Sequence, residues 1–363
     1  MRPGEQTVPT RIQNMTGKER VQAALEGLWT DRRPVMLHNF MMAAREEGIS
    51  MKEFGENPQS AARAFIHFTE KYDTDGLLID VSTAILAGSL GVPVDYPDDE
   101  PARTHGSLIS SLEEIQDLSP VDVALDEGIQ RWLEITRIVK DYFGEDKYIR
   151  GNCDQAPFSL ASMIRGSQEL MTDLLMEPEK VHQLLEYATE AGIQFIRLMA
   201  GTGAHMVSNG DSVAGPEMIP PEFYREFAFP YEKILVDEAH RLGLTYTLHI
   251  CGNTELILED MVKTGADALE LDYLTDIQKI YKHCHSSTLM IGNLDPSAVI
   301  KFGTPELVKQ LTLELLEIYR DSPRLMINAG CAIPPDTPSE NIRTMIETTH
   351  RYAVAPNPNA ANS

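Results

Sequence analysis

From Arg33 onward, short apolar runs alternate with longer segments whose apolar residues recur every three or four positions. Short runs bounded by turn residues read as strands, and the three- and four-residue spacing reads as amphipathic helix. The strand candidates are Pro34–Asn39, Gly76–Asp80, Tyr148–Asn152, His205–Gly210, Thr245–Ile250, Ala268–Asp272, Leu289–Gly292 and Leu325–Asn328, eight in all. The helical pattern is clearest over Thr304–Arg320, where Leu307, Leu311, Leu315 and Ile318 share a face and Pro305 takes the first helical position. Similar patterns run through Pro178–Ala200, Pro221–Leu242 and Thr254–Thr264. An earlier helix is predicted over Gly17–Glu26, with Thr16 as its N-cap.

Strands alternating with helices imply a parallel sheet. Eight such units favour a closed (β/α)8 TIM barrel over an open, doubly wound sheet. The predicted organisation is a flexible N-terminus over 1–15, one barrel domain over 16–354 with an N-terminal helical extension, and a flexible tail over 355–363. The stretch Ser82–Val121 is long for one connection, and predicts an insertion after the second strand that frames the mouth. In such barrels the chemistry sits at the C-terminal ends of the strands. Polar residues that directly follow an apolar run therefore matter most.

The fifth strand candidate reads Thr-Tyr-Thr-Leu-His-Ile-Cys-Gly-Asn, with His249 and Cys251 two apart. Residues i and i+2 of a strand face the same side, so both side chains can reach one ion. Cys331 follows the eighth candidate, in Gly-Cys-Ala-Ile-Pro-Pro. Barrel closure would carry it to the same rim. One histidine and two cysteines suit Zn²⁺, and three protein ligands mark a catalytic site with a fourth position left for substrate. The competing reading is a packed histidine and two buried thiols. Cys284, in Lys-His-Cys-His, reads as packing, because neighbours two apart on a helix do not face one another. Cys153, after the third candidate, reads as packing with a fourth metal ligand as the alternative.

Composition narrows the function classes. Lys and Arg number 31 against 55 Asp and Glu, a net charge of −24. That argues against nucleic acid and anionic membranes as partners. No run approaches the roughly 18 apolar residues of a membrane span. Residues 1–15 lack the apolar stretch of a secretory signal. Four cysteines in 363 residues do not make a disulfide framework, so a reducing cytoplasm is expected. No pattern encodes an oligomeric state, and a homodimer is compatible with the chain.

At these residues the sequence resembles the uroporphyrinogen decarboxylase superfamily, from about Met15 to Ala353. The likeness is carried by Gly-Lys-Glu-Arg-Val-Gln-Ala-Ala-Leu-Glu-Gly near the start, Ala-Pro-Phe-Ser-Leu in the middle, Leu-His-Ile-Cys-Gly-Asn, Gly-Asn-Leu-Asp-Pro, and Gly-Cys-Ala-Ile-Pro-Pro-Asp-Thr-Pro-Ser-Glu-Asn-Ile. The resemblance implies a (β/α)8 barrel. Its decarboxylases carry an arginine pair after the first strand to grip substrate carboxylates. Here that region reads Leu-His-Asn-Phe-Met-Met-Ala-Ala-Arg-Glu-Glu-Gly, with Arg45 alone. The other branch, which looks like the methylcobamide:coenzyme M methyltransferases and related corrinoid-dependent demethylases, has an H-x-C and distant-Cys zinc pattern. His249, Cys251 and Cys331 match it.

The resemblance therefore implies a zinc-dependent methyltransferase working with a corrinoid (cobalamin) protein. Its small substrate would be either a thiol acceptor such as coenzyme M or a methoxylated aromatic donor. The alternatives are a uroporphyrinogen decarboxylase, and a non-enzymatic barrel that binds corrinoids or tetrapyrroles. Further candidates follow. Asp80 matches a rim aspartate of the superfamily and could bond to substrate or to a metal-bound group. Asn209, Asp211 and Ser212 resemble the family's polar stretch at the mouth. Asp211 is the first candidate for an acid–base residue, or for the orienting partner that ligating histidines usually have. Glu217 is a candidate fourth ligand or substrate contact, and Asp272 a substrate contact at a strand end. Asp295 reads as a turn former.

Overall fold

The computed structural model describes residues 15–352; the expected flexible ends fall almost wholly outside them. Among the described residues nine strands occur in chain order: β1 Gly76–Ile79, β2 Val94–Asp95, β3 Arg103–Thr104, β4 Tyr148–Gln155, β5 Met206–Gly210, β6 Thr245–Ile250, β7 Ala268–Leu271, β8 Leu289–Leu294 and β9 Leu325–Ala329. Seven of them form one curled parallel sheet in the order β1-β4-β5-β6-β7-β8-β9. These are the second to eighth predicted strands, displaced by no more than three residues at any end. Their near-continuous burial is what a sheet covered on both faces requires. β2 and β3 pair as a small hairpin inside the predicted 82–121 insertion.

The first predicted strand, Pro34–Asn39, is a correction. It forms only a single bridge, Val35 to Ile327. Side chains take the place of a ladder there. The Val35 amide donates to Asp75 Oδ2 at 2.9 Å, and the His38 amide donates to Asn328 Oδ1 at 3.0 Å. The segment still touches both edges of the sheet. Met36 N–H donates to the Ile327 carbonyl on one side, and Asp75 N–H donates to the Val35 carbonyl on the other.

The helices form where their caps allow. Thr16 makes a full capping box with Glu19 over Gly17–Glu26. Thr304 caps Pro305–Ile318, with Pro305 at the first position. Pro178–Ala200 matches its prediction, whereas Thr254–Thr264 shortens to Leu258–Lys263. Helix Gly17–Glu26 lies beneath the sheet, where Val21, Ala24 and Leu25 pack against Met36, Tyr148, Met206, Leu289 and Met326. It approaches so closely that a Cβ on Gly17 would stand 2.3 Å from the Asp75 carbonyl oxygen. Arg20 fixes this contact, forking onto Asp31 at 2.6 and 2.7 Å and reaching Asp75 at 2.9 Å. Among the described residues no helix is long and apolar enough to cross a membrane.

Two outcomes follow for stability. Arg20→Ala leaves the buried Asp75 with Arg32 alone, and should cost about 3 kcal/mol in urea unfolding; an unchanged midpoint would contradict it. His205 sits just before β5, where burial and then Lys140 and Lys18 hold its pKa down at about 4. Its Nδ1 accepts the Ile149 amide, so the ring is neutral in the fold. An unfolded histidine titrates near ~6.5, so the contribution is complete above that pH and is lost as pH falls toward about 4. His205→Asn keeps an acceptor but not the titration, and should flatten the urea midpoint across that window.

Candidate metal centre and its buried support

Strand β6 ends in His249-Ile250, and Cys251 follows. The chain turns at once, with Gly252 at φ 83°, a left-handed conformation that favours glycine. The Gly252 amide donates to Asp272 Oδ2 at 3.0 Å, and the Thr254 amide to Thr275 Oγ1 at 2.9 Å. The loop after β7 therefore braces the turn that presents Cys251. Cys331 follows β9 through Gly330, whose amide donates to the Leu294 carbonyl. A Cβ on Gly330 would lie 2.6 Å from the Tyr273 nitrogen, so only glycine lets the two loops pack this closely.

The result is one group of donors. His249 Nε2 stands 3.0 Å from Cys251 Sγ, and the two sulfurs are 3.8 Å apart. The ligand atoms of His249, Cys251 and Cys331 all lie within 4.8 Å of one another. Among the described residues no other such group of three or more is present. His249 Nδ1–H donates to the Glu270 carbonyl at 2.9 Å, which fixes the ring and turns Nε2 toward the sulfurs. The hydrogen bond from Cys331 holds the Cys251 thiol well below its ordinary range against burial, helped by His249 and the Ser212 hydroxyl. Burial disfavours a charged His249, but the sulfur beside it outweighs this and raises its pKa. Without a metal, the sulfur and the ring each favour the other's charged form.

Beneath the donors lies a charge network of which the sequence singled out only Asp80. Glu270 pairs with His249 in the β6–β7 register. Its carboxylate meets Arg150 of β4 at 2.6 Å and accepts from Asn328 Nδ2 of β9 at 2.9 Å. Both ionised side chains are almost wholly buried, at 3% and 1% exposure. Burial would raise the Glu270 pKa, yet Arg150, His249 and His38 bring it down to about 2. His38 Nε2 in turn lies 2.6 Å from Asp80 Oδ2. The signal for Arg150 and Glu270 was a lone charge within an apolar strand run, in Tyr-Ile-Arg-Gly and Ala-Leu-Glu-Leu.

The other predicted residues divide. Asp80 is buried at the end of β1 and bonds His38. Ser212 reaches Cys251, and Asp272 supports the turn with both oxygens, the second accepting from the Leu274 amide. Glu217 is exposed, with its carboxylate over Gly252 and outside the donor group. Asn209 points into the sheet, donating to the Cys153 carbonyl and accepting from Tyr246. Asp211 turns away from the His249 ring. One oxygen takes the Ser159 amide in the first turn of helix Pro157–Arg165, and its carboxyl lies near that of the buried Glu232 without a hydrogen bond at Oδ2. Burial raises both carboxyls of that pair. Cys153 and Cys284 are fully buried, and Asp295 caps the turn at Ser297 and Ala298.

A family model described as Uroporphyrinogen decarboxylase (URO-D) matches residues 16–352. The methylcobamide:CoM methyltransferase MtbA of Methanosarcina acetivorans is 32% identical over 246 residues, 68% of this chain and 70% of that protein. The methylcobamide:CoM methyltransferase MtaA of Methanosarcina barkeri is 25% identical over 94% of this chain and 99% of its own. A uroporphyrinogen decarboxylase of Prochlorococcus marinus is 27% identical over 84% of this chain and 86% of its own. Among solved structures, a methyltransferase from Methanosarcina mazei superposes with a TM-score of 0.85 at 23% identity, covering 93% of this chain and 98% of that one. At that identity the superposition speaks for the fold.

The close approach at Gly330 has a measurable consequence. Gly330→Ala should destabilise the fold by about 1–3 kcal/mol, since a backbone atom must give way. In metal-free protein, mild oxidation should consume the Cys251 and Cys331 thiols together, and the variant should do so more slowly. Equal rates by free-thiol titration would show that the glycine does not set their spacing.

Proposed function

The chain belongs to the uroporphyrinogen decarboxylase family, and from that premise we propose that it is a zinc-dependent methyltransferase that moves a methyl group from a corrinoid protein to a small thiol. The observation that carries the reading is the His249, Cys251 and Cys331 donor group. One imidazole nitrogen and two sulfurs at the ends of barrel strands fit Zn²⁺ with a position left for substrate. When bound, zinc supplies a positive charge that holds a thiol as the more nucleophilic thiolate. The methyltransferase relatives, named for methylcobamide and CoM, support a thiol acceptor and a corrinoid methyl donor. We read the sheet, with segment 34–36 bonded to both edges, as a (β/α)8 barrel whose mouth carries the site.

The chain's own residues do the positioning. The Glu270 carbonyl orients His249, the Asp272 carboxylate holds the Cys251 turn, and Gly330 seats Cys331. Decarboxylation of a polycarboxylate fits the site less well. Arg45 is exposed and lies 3.3 Å from Asp336, and Arg150 is committed to Glu270. Neither offers the charge-assisted forks that several substrate carboxylates would need. We place it in the cytoplasm, since four cysteines in 363 residues do not make a disulfide framework.

Purified protein should contain about one zinc per chain. Cys251→Ala and Cys331→Ala should each lose most of that zinc and at least ~100-fold of the thiol-dependent demethylation of methylcobalamin, followed spectroscopically. Full activity after chelation, or turnover of uroporphyrinogen by metal-free protein, would overturn the assignment.

A further inference from the structure

The charge network beneath the donors contains an imidazole with one ring nitrogen bonded and the other buried without a hydrogen-bond partner. His38 is clamped through its backbone. Its amide donates to Asn328 Oδ1, and its carbonyl accepts the amide of Ile333, two residues beyond Cys331. The imidazole therefore stands beside the loop that carries a metal-ligand candidate. Its Nε2 lies 2.6 Å from Asp80 Oδ2. Its Nδ1 is buried with no hydrogen-bond partner, 3.7 Å from Glu270 Oε1. The ring as a whole keeps 13% side-chain exposure. The charged groups facing it are Asp80 after β1, Glu270 on β7, and Arg150 on β4 through Glu270. Phe40 covers another side, its ring centroid 5.7 Å away.

This arrangement has a definite protonation logic. A carboxylate accepting from Nε2–H selects the tautomer whose free lone pair is on Nδ1. If Nδ1 then takes a proton, the resulting cation lies between the Asp80 and Glu270 carboxylates. A structural histidine needs no unbonded nitrogen, and leaving one buried carries a penalty.

We propose that His38, oriented by Asp80, is the acceptor for the proton that the substrate thiol must lose. This rests on the thiol-methyltransferase reading above. A free thiol titrates near ~8.5, so near neutral pH most of it still carries its proton. In the step, the S–H bond breaks, its electron pair stays on sulfur, and an N–H bond forms at His38 Nδ1. The sulfur pair then forms the S–CH₃ bond, while the electron pair of the broken carrier–methyl bond stays with the corrinoid. No further oxidant or reductant is required. The proton passes from His38 to solvent as the methylated product leaves.

The test compares wild type, His38→Gln and Asp80→Asn, each loaded with zinc to the same stoichiometry, with methylcobalamin as donor. With mercaptoethanol, a weakly acidic thiol, His38→Gln should lower kcat by about 100-fold. With thiophenol, largely ionised already, the loss should shrink to a few-fold. Asp80→Asn should show the same dependence on thiol acidity with a smaller loss, and serves if His38→Gln folds poorly. Calorimetry of thiol binding in buffers of differing ionisation enthalpy gives a second readout. Wild type should retain the thiol proton, and His38→Gln should release about one per thiol bound. Equal losses with both thiols, or unchanged proton release, would overturn the proton-acceptor role and leave His38 a structural clamp. Failure of the wild type to bind zinc or transfer methyl at all would instead overturn the function on which it rests.

Discussion

The contact between Arg150 and Glu270 organises the interior. A carboxylate and a guanidinium, both withdrawn from water, must satisfy each other or destabilise the fold by several kcal/mol. Their pairing couples β4 to β7 across two intervening strands. Through Asn328 the same carboxylate reaches β9, and through His38 it faces the segment that lies against both sheet edges. The Glu270 backbone carbonyl then sets the plane of the His249 ring. One residue thus joins the electrostatics of the interior to the geometry of the donors. This is the kind of support that keeps a binding constellation within a fraction of an ångström.

Much of the architecture was legible in the pattern of apolar positions, because seven strands are buried on both faces and announce themselves as continuous apolar runs. The first predicted strand was not, because its backbone is satisfied by Asp75 and Asn328 side chains that no local pattern reveals. The juxtaposition of His249 and Cys251 was readable from their two-residue spacing on a strand. That of Cys331 followed from its place after another strand.

The polar residues around them were harder to read, for a physical reason. A residue just past a strand can turn inward to the mouth or outward to a helix N-terminus, and sequence position does not choose. Asp211 turns outward to the Ser159 amide, whereas Ser212 beside it reaches Cys251. Arg150 and Glu270 were obscured differently. Each is a single charge in an apolar run, and its meaning depends on a partner from a strand that is not its neighbour. Decarboxylase and methyltransferase relatives both match this chain over most of its length, so family membership alone does not choose the chemistry.

The seam where Val35 meets Ile327 joins residues almost 300 positions apart in the chain. Loop-closure entropy makes such a contact among the last to form, after the local strand–helix units have condensed. His38 and Cys331 both sit at this seam, tied by the bond between the His38 carbonyl and the Ile333 amide. A chain that has paired only β6 to β9 can therefore bring His249, Cys251 and Cys331 together, yet it lacks the Asp80–His38 pair until its two ends have met. The wall beside Cys331, unlike the three donors themselves, is thereby completed only when segment 34–38 has closed against both sheet edges.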